Sequence, residues 1–333
     1  MSRVQHGGRI DEAIAHHGGT RGTWLDLSTG IGPLTYPVPD LPRTIWRDLP
    51  DEAAWLATAD ALRQLVGASE GVGVSLAAGS QQHIQVLPRL FKSQDVAVVG
   101  FTYGEHAAQW RAAGHTVLAS DGLTSAEATA RIIIVVNPNN PDGRIIDRHV
   151  LLELARRLAA KGGLLVVDEA FGDVTPNASV AADAGRDGLV VLRSLGKFYG
   201  LAGVRLGGAL CSPALAERLE ASIGPWGVSG PALAIGAAAW SDRTWTTRNR
   251  RKLKTMRESL EEMLQRRGLR IAGGTDLFVL AQHSRAMDIA RRLAERQILV
   301  RAFDGAPQWL RFGLPAGKVA SRRLDSALAK AIA

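Results

Sequence analysis

The chain has 333 residues, 46% of them apolar and 22% charged, with a net charge of +8. That length supports a large core and usually two lobes, and the one cysteine, Cys211, excludes an intrachain disulfide. No run of about 18 uninterrupted apolar residues appears, so no membrane insertion is expected. With no signal-peptide pattern at the start, a cytoplasmic protein is the expectation.

Residues 1–40 hold many Gly and Pro and read as an irregular arm. A helix is predicted over 51–66, stopped by Gly67. Apolar runs then alternate with helical stretches. The run 72–77 leads through Gly79-Ser80 into a helix reaching about Phe91, and further runs cover 96–99, 132–136, 164–167 and 189–192. The clearest intervening helix covers 150–160. Uninterrupted apolar strands alternating with helices predict an α/β fold, its mostly parallel central sheet covered by helices on both faces.

Much of the positive charge lies between Arg243 and Arg270, where Leu253, Met256, Leu260, Met263 and Leu264 recur at helical spacing. This predicts an amphipathic helix with a solvated basic face. No nucleic-acid signature accompanies it, so no nucleic-acid partner is expected. From about 240 onward helices dominate, with short apolar runs at 277–280 and 299–300. The expected organisation is an arm (1–40) joining the small domain, a large cofactor-binding domain (41–239) and a small α+β domain (240–333).

Parallel sheets bind ligands at the carboxyl ends of their strands. Gly79, Ser80, Tyr103, Asn140, Asp168, Ser194 and Lys197 each follow an apolar run. Between them they offer an amine, an acid for a ring nitrogen, an amide for a ring oxygen and a phosphate cup. Pyridoxal phosphate (PLP) needs those groups. Lys197 supplies the amine, Asp168 the acid and Asn140 the amide. Gly79, Ser80 and Gln81 sit at a strand–helix turn suited to phosphate, with Ser194 and Arg205 completing the cup. Tyr103 can stack on the ring. Arg311 and Arg301 stand inside apolar runs, where a buried cation needs an anion. His16-His17 has no partner at metal-ligand spacing, so no metal is expected.

With these residues the chain resembles the fold-type I PLP enzymes, the aspartate aminotransferase-like superfamily, over nearly its whole length. The specific part is Asp168, then Ser194-x-x-Lys197, then Arg205. The resemblance implies that Lys197 bonds the cofactor, Asp168 pairs with its ring nitrogen and Arg311 holds a substrate carboxylate, in a homodimer. Within the superfamily the chain is similar to the histidinol-phosphate aminotransferase branch and, more narrowly, to the threonine-phosphate decarboxylases of cobalamin biosynthesis. His6-Gly7-Gly8, the segment from Asp26 to Pro33 that contains Gly30, and Phe171 in place of the aminotransferases' usual Tyr carry that likeness.

The reaction implied is decarboxylation of L-threonine O-3-phosphate to (R)-1-amino-2-propanol O-2-phosphate, a lyase activity. A phosphorylated amino acid would be held by His6, Gly7, Gly8, Gly30, Arg301 and Arg311. The alternative is a histidinol-phosphate-type or aromatic aminotransferase. Relatives often carry Asn where Gly32 stands, and a Tyr where Leu49 precedes Pro50-Asp51. The residues alone leave decarboxylation and transamination both open, because an anchoring difference of about 1 Å decides between them.

Overall fold

The computed structural model describes residues 6–333, and the chain divides into two compact units. One comprises Tyr36–Asn140 and Arg144–Thr246. The other comprises residues through Thr35, Pro141–Gly143 and Thr247–Ala333.

The first unit is built on a seven-stranded sheet. Its spatial order is Gly73–Ala77, Gly207–Cys211, Leu189–Ser194, Leu164–Asp168, Ile132–Val136, Asp95–Val99 and Thr116–Ser120. Only Gly207–Cys211 runs against the others. Ile132–Val136 is β-branched throughout and buried along its length, as a strand covered on both faces must be. Each such isoleucine contributes about 2 kcal/mol by leaving water. Helix Arg148–Ala159 turns Leu151, Leu154, Ala155 and Leu158 inward at helical spacing.

Asp51 caps helix Glu52–Val66 by accepting from the Ala54 N–H at 2.8 Å, and Gly67 ends it. The helix after Gly79 is shorter than the sequence predicts. It is α-helical over Ser80–Val86 and tightens to 3₁₀ over Leu87–Leu90, where Pro88 lacks the N–H an α-helix requires. The edge strand Gly73–Ala77 is covered by Glu220, whose Oε1 accepts from the Leu76 N–H at 2.9 Å.

In the second unit a four-stranded antiparallel sheet runs in the order Arg301–Ala302, Trp309–Gly313, Phe278–Gln282, Arg270–Thr275. Leu25–Asp26 pairs in parallel with Ile298–Leu299, which ties the N-terminal segment to this unit. Ile10–His17, Ala286–Ala294 and Gly317–Ile332 are its helices. The basic stretch forms one helix, Arg243–Arg266, with Leu253, Leu260, Met263 and Leu264 buried and Arg248, Arg251, Lys252 and Lys254 exposed. No helix among the described residues is long and apolar enough to cross a membrane.

Candidate active site

The candidate residues form two clusters, one in each unit. In the first unit, Asp168 is the last residue of Leu164–Asp168 and is 3% exposed. Its two oxygens are separately held: His106 Nε2 donates to Oδ2 at 2.9 Å, and the Ala170 N–H donates to Oδ1 at 2.9 Å. A buried carboxylate gripped on both oxygens has a fixed direction. His106, itself buried, meets Tyr103 edge-on at 6.2 Å.

Tyr103 is half-buried, and its hydroxyl donates to Gln81 Oε1 at 3.0 Å. Burial, then the nearby charges of Glu105 and Asp168, push its pKa up, with Arg205 pulling weakly the other way. The phenol therefore stays protonated and acts as a donor.

Three asparagines and two prolines follow Ile132–Val136. Asn137 accepts from the Ile146 N–H at 2.8 Å, and Asn139 accepts from Thr102 Oγ1 at 2.6 Å while donating to the Phe101 carbonyl at 3.0 Å. Both are buried and serve the loop, whereas Asn140 is half-exposed.

Lys197 is half-buried beyond strand Leu189–Ser194, with Nζ over the Phe171 ring at 5.8 Å. The Ser194 hydroxyl accepts from the Gly196 N–H at 3.3 Å, bending the chain toward Lys197. Beside it a buried ion cluster braces the strand. Arg193 donates to Glu169 Oε2 at 2.9 Å and pairs with Asp173. Burial pushes the Glu169 carboxyl up against the pull of Arg193. For Arg193, burial disfavours the charge, but Asp173 and Glu169 outweigh it and hold its pKa high.

Arg205 lies 126 residues from Gly79 in sequence yet beside it in space. Its backbone is left-handed at φ 57°, and Nη2 donates to the Ala78 carbonyl at 3.2 Å. Gly79 has φ 83°, and a Cβ there would fall 2.7 Å from Arg205 Nη2. The bare turn leaves room beside a guanidinium and the Ser80 hydroxyl, which fits a phosphate monoester. A held acid at Asp168, an amine at Lys197 and this cradle together fit PLP.

The second cluster is cationic. Arg311, in strand Trp309–Gly313, is 6% exposed, and Nη2 donates to the Ser28 carbonyl at 2.7 Å. Its strand partner, in register, is Arg301. Burial, then the like charge of Arg301, lowers the Arg311 pKa to about 10, with Asp26 opposing. Burial also lowers that of Arg301, against Asp304. Ser28 is a hub: its hydroxyl accepts from the Gly8 N–H at 2.7 Å and donates to Asp26 Oδ1 at 2.6 Å. A cleft of about 380 Å³ is lined by His6, Gly7, Gly8 and Arg301, with Arg9 and His16. Gly30 is buried and does not line it.

The profile of aminotransferase class I and II matches residues 56–327. The chain belongs to the class I and II aminotransferase family. It is 45% identical to a threonine-phosphate decarboxylase of Sinorhizobium sp, over 98% of each chain. It is 43% identical to another from Pseudomonas aeruginosa, covering 98% of this chain and 97% of that one. A solved histidinol-phosphate aminotransferase of Sinorhizobium meliloti, in complex with pyridoxal-5'-phosphate, shares the fold. Its TM-score is 0.86 at 19% identity, covering 100% of this chain and 95% of that one. This aminotransferase-family member is thus a PLP enzyme of fold type I.

Three features of this family member escaped the sequence reading. His106 contacts Asp168 across 62 residues and carries no local motif. Ser28 joins the arm to Arg311 through backbone and hydroxyl groups that no pattern announces. The side chain of Gln81, on the turn expected to hold the phosphate, reaches Tyr103 and Glu105, a contact no local pattern announces.

Proposed function

We propose that this chain is a PLP-dependent decarboxylase converting L-threonine O-3-phosphate to (R)-1-amino-2-propanol O-2-phosphate and carbon dioxide, a step toward cobalamin. The observation that carries the reading is the 45% identity to a threonine-phosphate decarboxylase, spread over 98% of both chains. The cation pair Arg301 and Arg311 supports it, because the substrate is an amino acid with a second, strongly anionic group.

When bound, PLP supplies a carbonyl for the substrate amine and a ring that draws electrons from Cα. Lys197 would hold the cofactor through Nζ, and the same amine, placed over the Phe171 ring, would return a proton to the substrate Cα. Asp168, fixed by His106 and the Ala170 N–H, holds the proton on the ring nitrogen. Asn140 binds the ring oxygen. Gly79, Ser80, Ser194 and Arg205 hold the phosphate, while Tyr103 packs on the ring. Arg311 takes the carboxylate, and Arg301 with His6, Gly7 and Gly8 takes the substrate phosphate. Gly30 shapes the segment beside Ser28.

We also read a cytoplasmic homodimer. Cys211 is fully buried, and burial pushes its thiol up to about 12, as suits an unreactive thiol in a reducing compartment. Trp46, Leu49 and Trp226 expose 68%, 67% and 60% of their surface, apolar area that a second copy would cover.

The experiment is an acceptor test. The PLP-loaded protein is given threonine phosphate alone, then histidinol phosphate with 2-oxoglutarate. Turnover of the first without any 2-oxo acid supports the decarboxylase. Turnover of the second alone assigns an aminotransferase.

A further inference from the structure

Gln81 sits on the turn that carries Gly79 and Ser80, but its side chain makes two contacts elsewhere. Its Nε2 donates to Glu105 Oε2 at 3.0 Å, and the same oxygen accepts from Gln109 Nε2 at 3.0 Å. Glu105 Oε2 accepts from both amides, and the Gln81 amide is thereby oriented with Oε1 toward the Tyr103 hydroxyl at 3.0 Å. Tyr103 is thereby held at its tip by Gln81 and along its ring by His106, which in turn holds Asp168. One side chain links the phosphate turn to the ring platform.

We propose that Gln81 is a positioning residue that fixes the tilt of Tyr103 and so helps select which bond at Cα breaks. The proposal rests on the decarboxylase reading. The bond broken is the one perpendicular to the cofactor ring, since only that bond overlaps the ring's electron sink. A platform free to tilt lets the Cα–H bond compete with the Cα–carboxylate bond. A misplacement of about 1 Å can change a rate about 100-fold. In the competing reaction the Cα proton leaves instead of carbon dioxide. There Lys197 would carry the proton from Cα to the cofactor's carbonyl carbon, which takes up the Cα–H bond electrons, and water would then release a 2-oxo acid and leave the amino nitrogen on the cofactor.

The test is a cycle of Gln81→Leu, Tyr103→Phe and the double variant. Carbon dioxide, 2-oxo acid and PLP affinity are measured, together with the circular dichroism of the bound cofactor. Each single variant should raise the ratio of 2-oxo acid to carbon dioxide about tenfold and change the dichroism, with PLP affinity within about threefold of wild type. The double variant should add nothing, because both remove the same contact. Should Gln81→Leu weaken PLP binding tenfold or more at an unchanged product ratio, Gln81 is a phosphate ligand and the proposal fails. Additive effects would also overturn it. Tyr103→Phe, which deletes one oxygen, carries the test alone if Gln81→Leu does not fold. If wild type releases no carbon dioxide, the decarboxylase reading fails. The dichroism cycle then still decides whether Gln81 sets the platform.

Discussion

Arg301 and Arg311 stand directly opposite each other on adjacent antiparallel strands, two cations in register with Arg311 almost fully buried. Like charges so placed destabilise a sheet. Phenylalanine rings soften the repulsion: Phe303 lies 5.3 Å from Arg301 and Phe278 5.0 Å from Arg311. An anion seated on the pair removes it. Phosphate or sulfate should therefore raise the melting temperature of wild type more than that of Arg301→Ala. The same variant should raise KM for threonine phosphate at least about tenfold while leaving PLP affinity alone. Equal anion responses would show that the pair is a structural feature only.

Gly79→Ala puts a Cβ against Arg205 and strains a left-handed backbone position. Such strain costs on the order of 1–3 kcal/mol. The expected result is PLP binding weakened about tenfold or more, read by equilibrium dialysis. Unchanged affinity would place the phosphate elsewhere.

The strand that ends at Asp168 and the one that leads to Lys197 were legible because a strand buried on both faces needs an unbroken apolar run. Thr116–Ser120 was not: it lies at the sheet edge, and Thr116 and Ala119 are exposed. Gly207–Cys211 was hidden for another reason. It passes so close to the phosphate turn that a Cβ at Gly207 would come within 2.3 Å of the Ser80 nitrogen. Glycine meets that demand and erases the β-strand signal. The chemical groups could be read from their places after strands. His106 could not, because its partner is brought near only by the fold.

His106→Phe leaves Asp168 without its side-chain donor in a buried setting. Losing such a partner costs about 1–3 kcal/mol. The expected outcome is a lower kcat with near-normal KM, and partial rescue in His106→Gln. A fall in KM affinity with normal kcat would contradict the assigned role.

His83 is fully buried beside Ser75, and burial lowers its pKa to about 3. In the unfolded chain its pKa is about 6.5. Between those values the unfolded state binds the proton more readily, so this group's contribution is intact above pH 6.5 and is lost as pH falls toward 3. The loss between pH 7 and 5 is about 2 kcal/mol at 1.36 kcal/mol per unit. Urea unfolding should show wild type losing about that much more stability over this interval than His83→Gln. Parallel curves would contradict the assignment.

The most direct test of the central claim uses threonine phosphate labelled at its carboxyl carbon, with PLP and no 2-oxo acid. One labelled carbon dioxide is expected per aminopropanol phosphate formed, over many turnovers, and none from Lys197→Ala. Label retained in a 2-oxo acid, or turnover that stops until an acceptor is added, would contradict it.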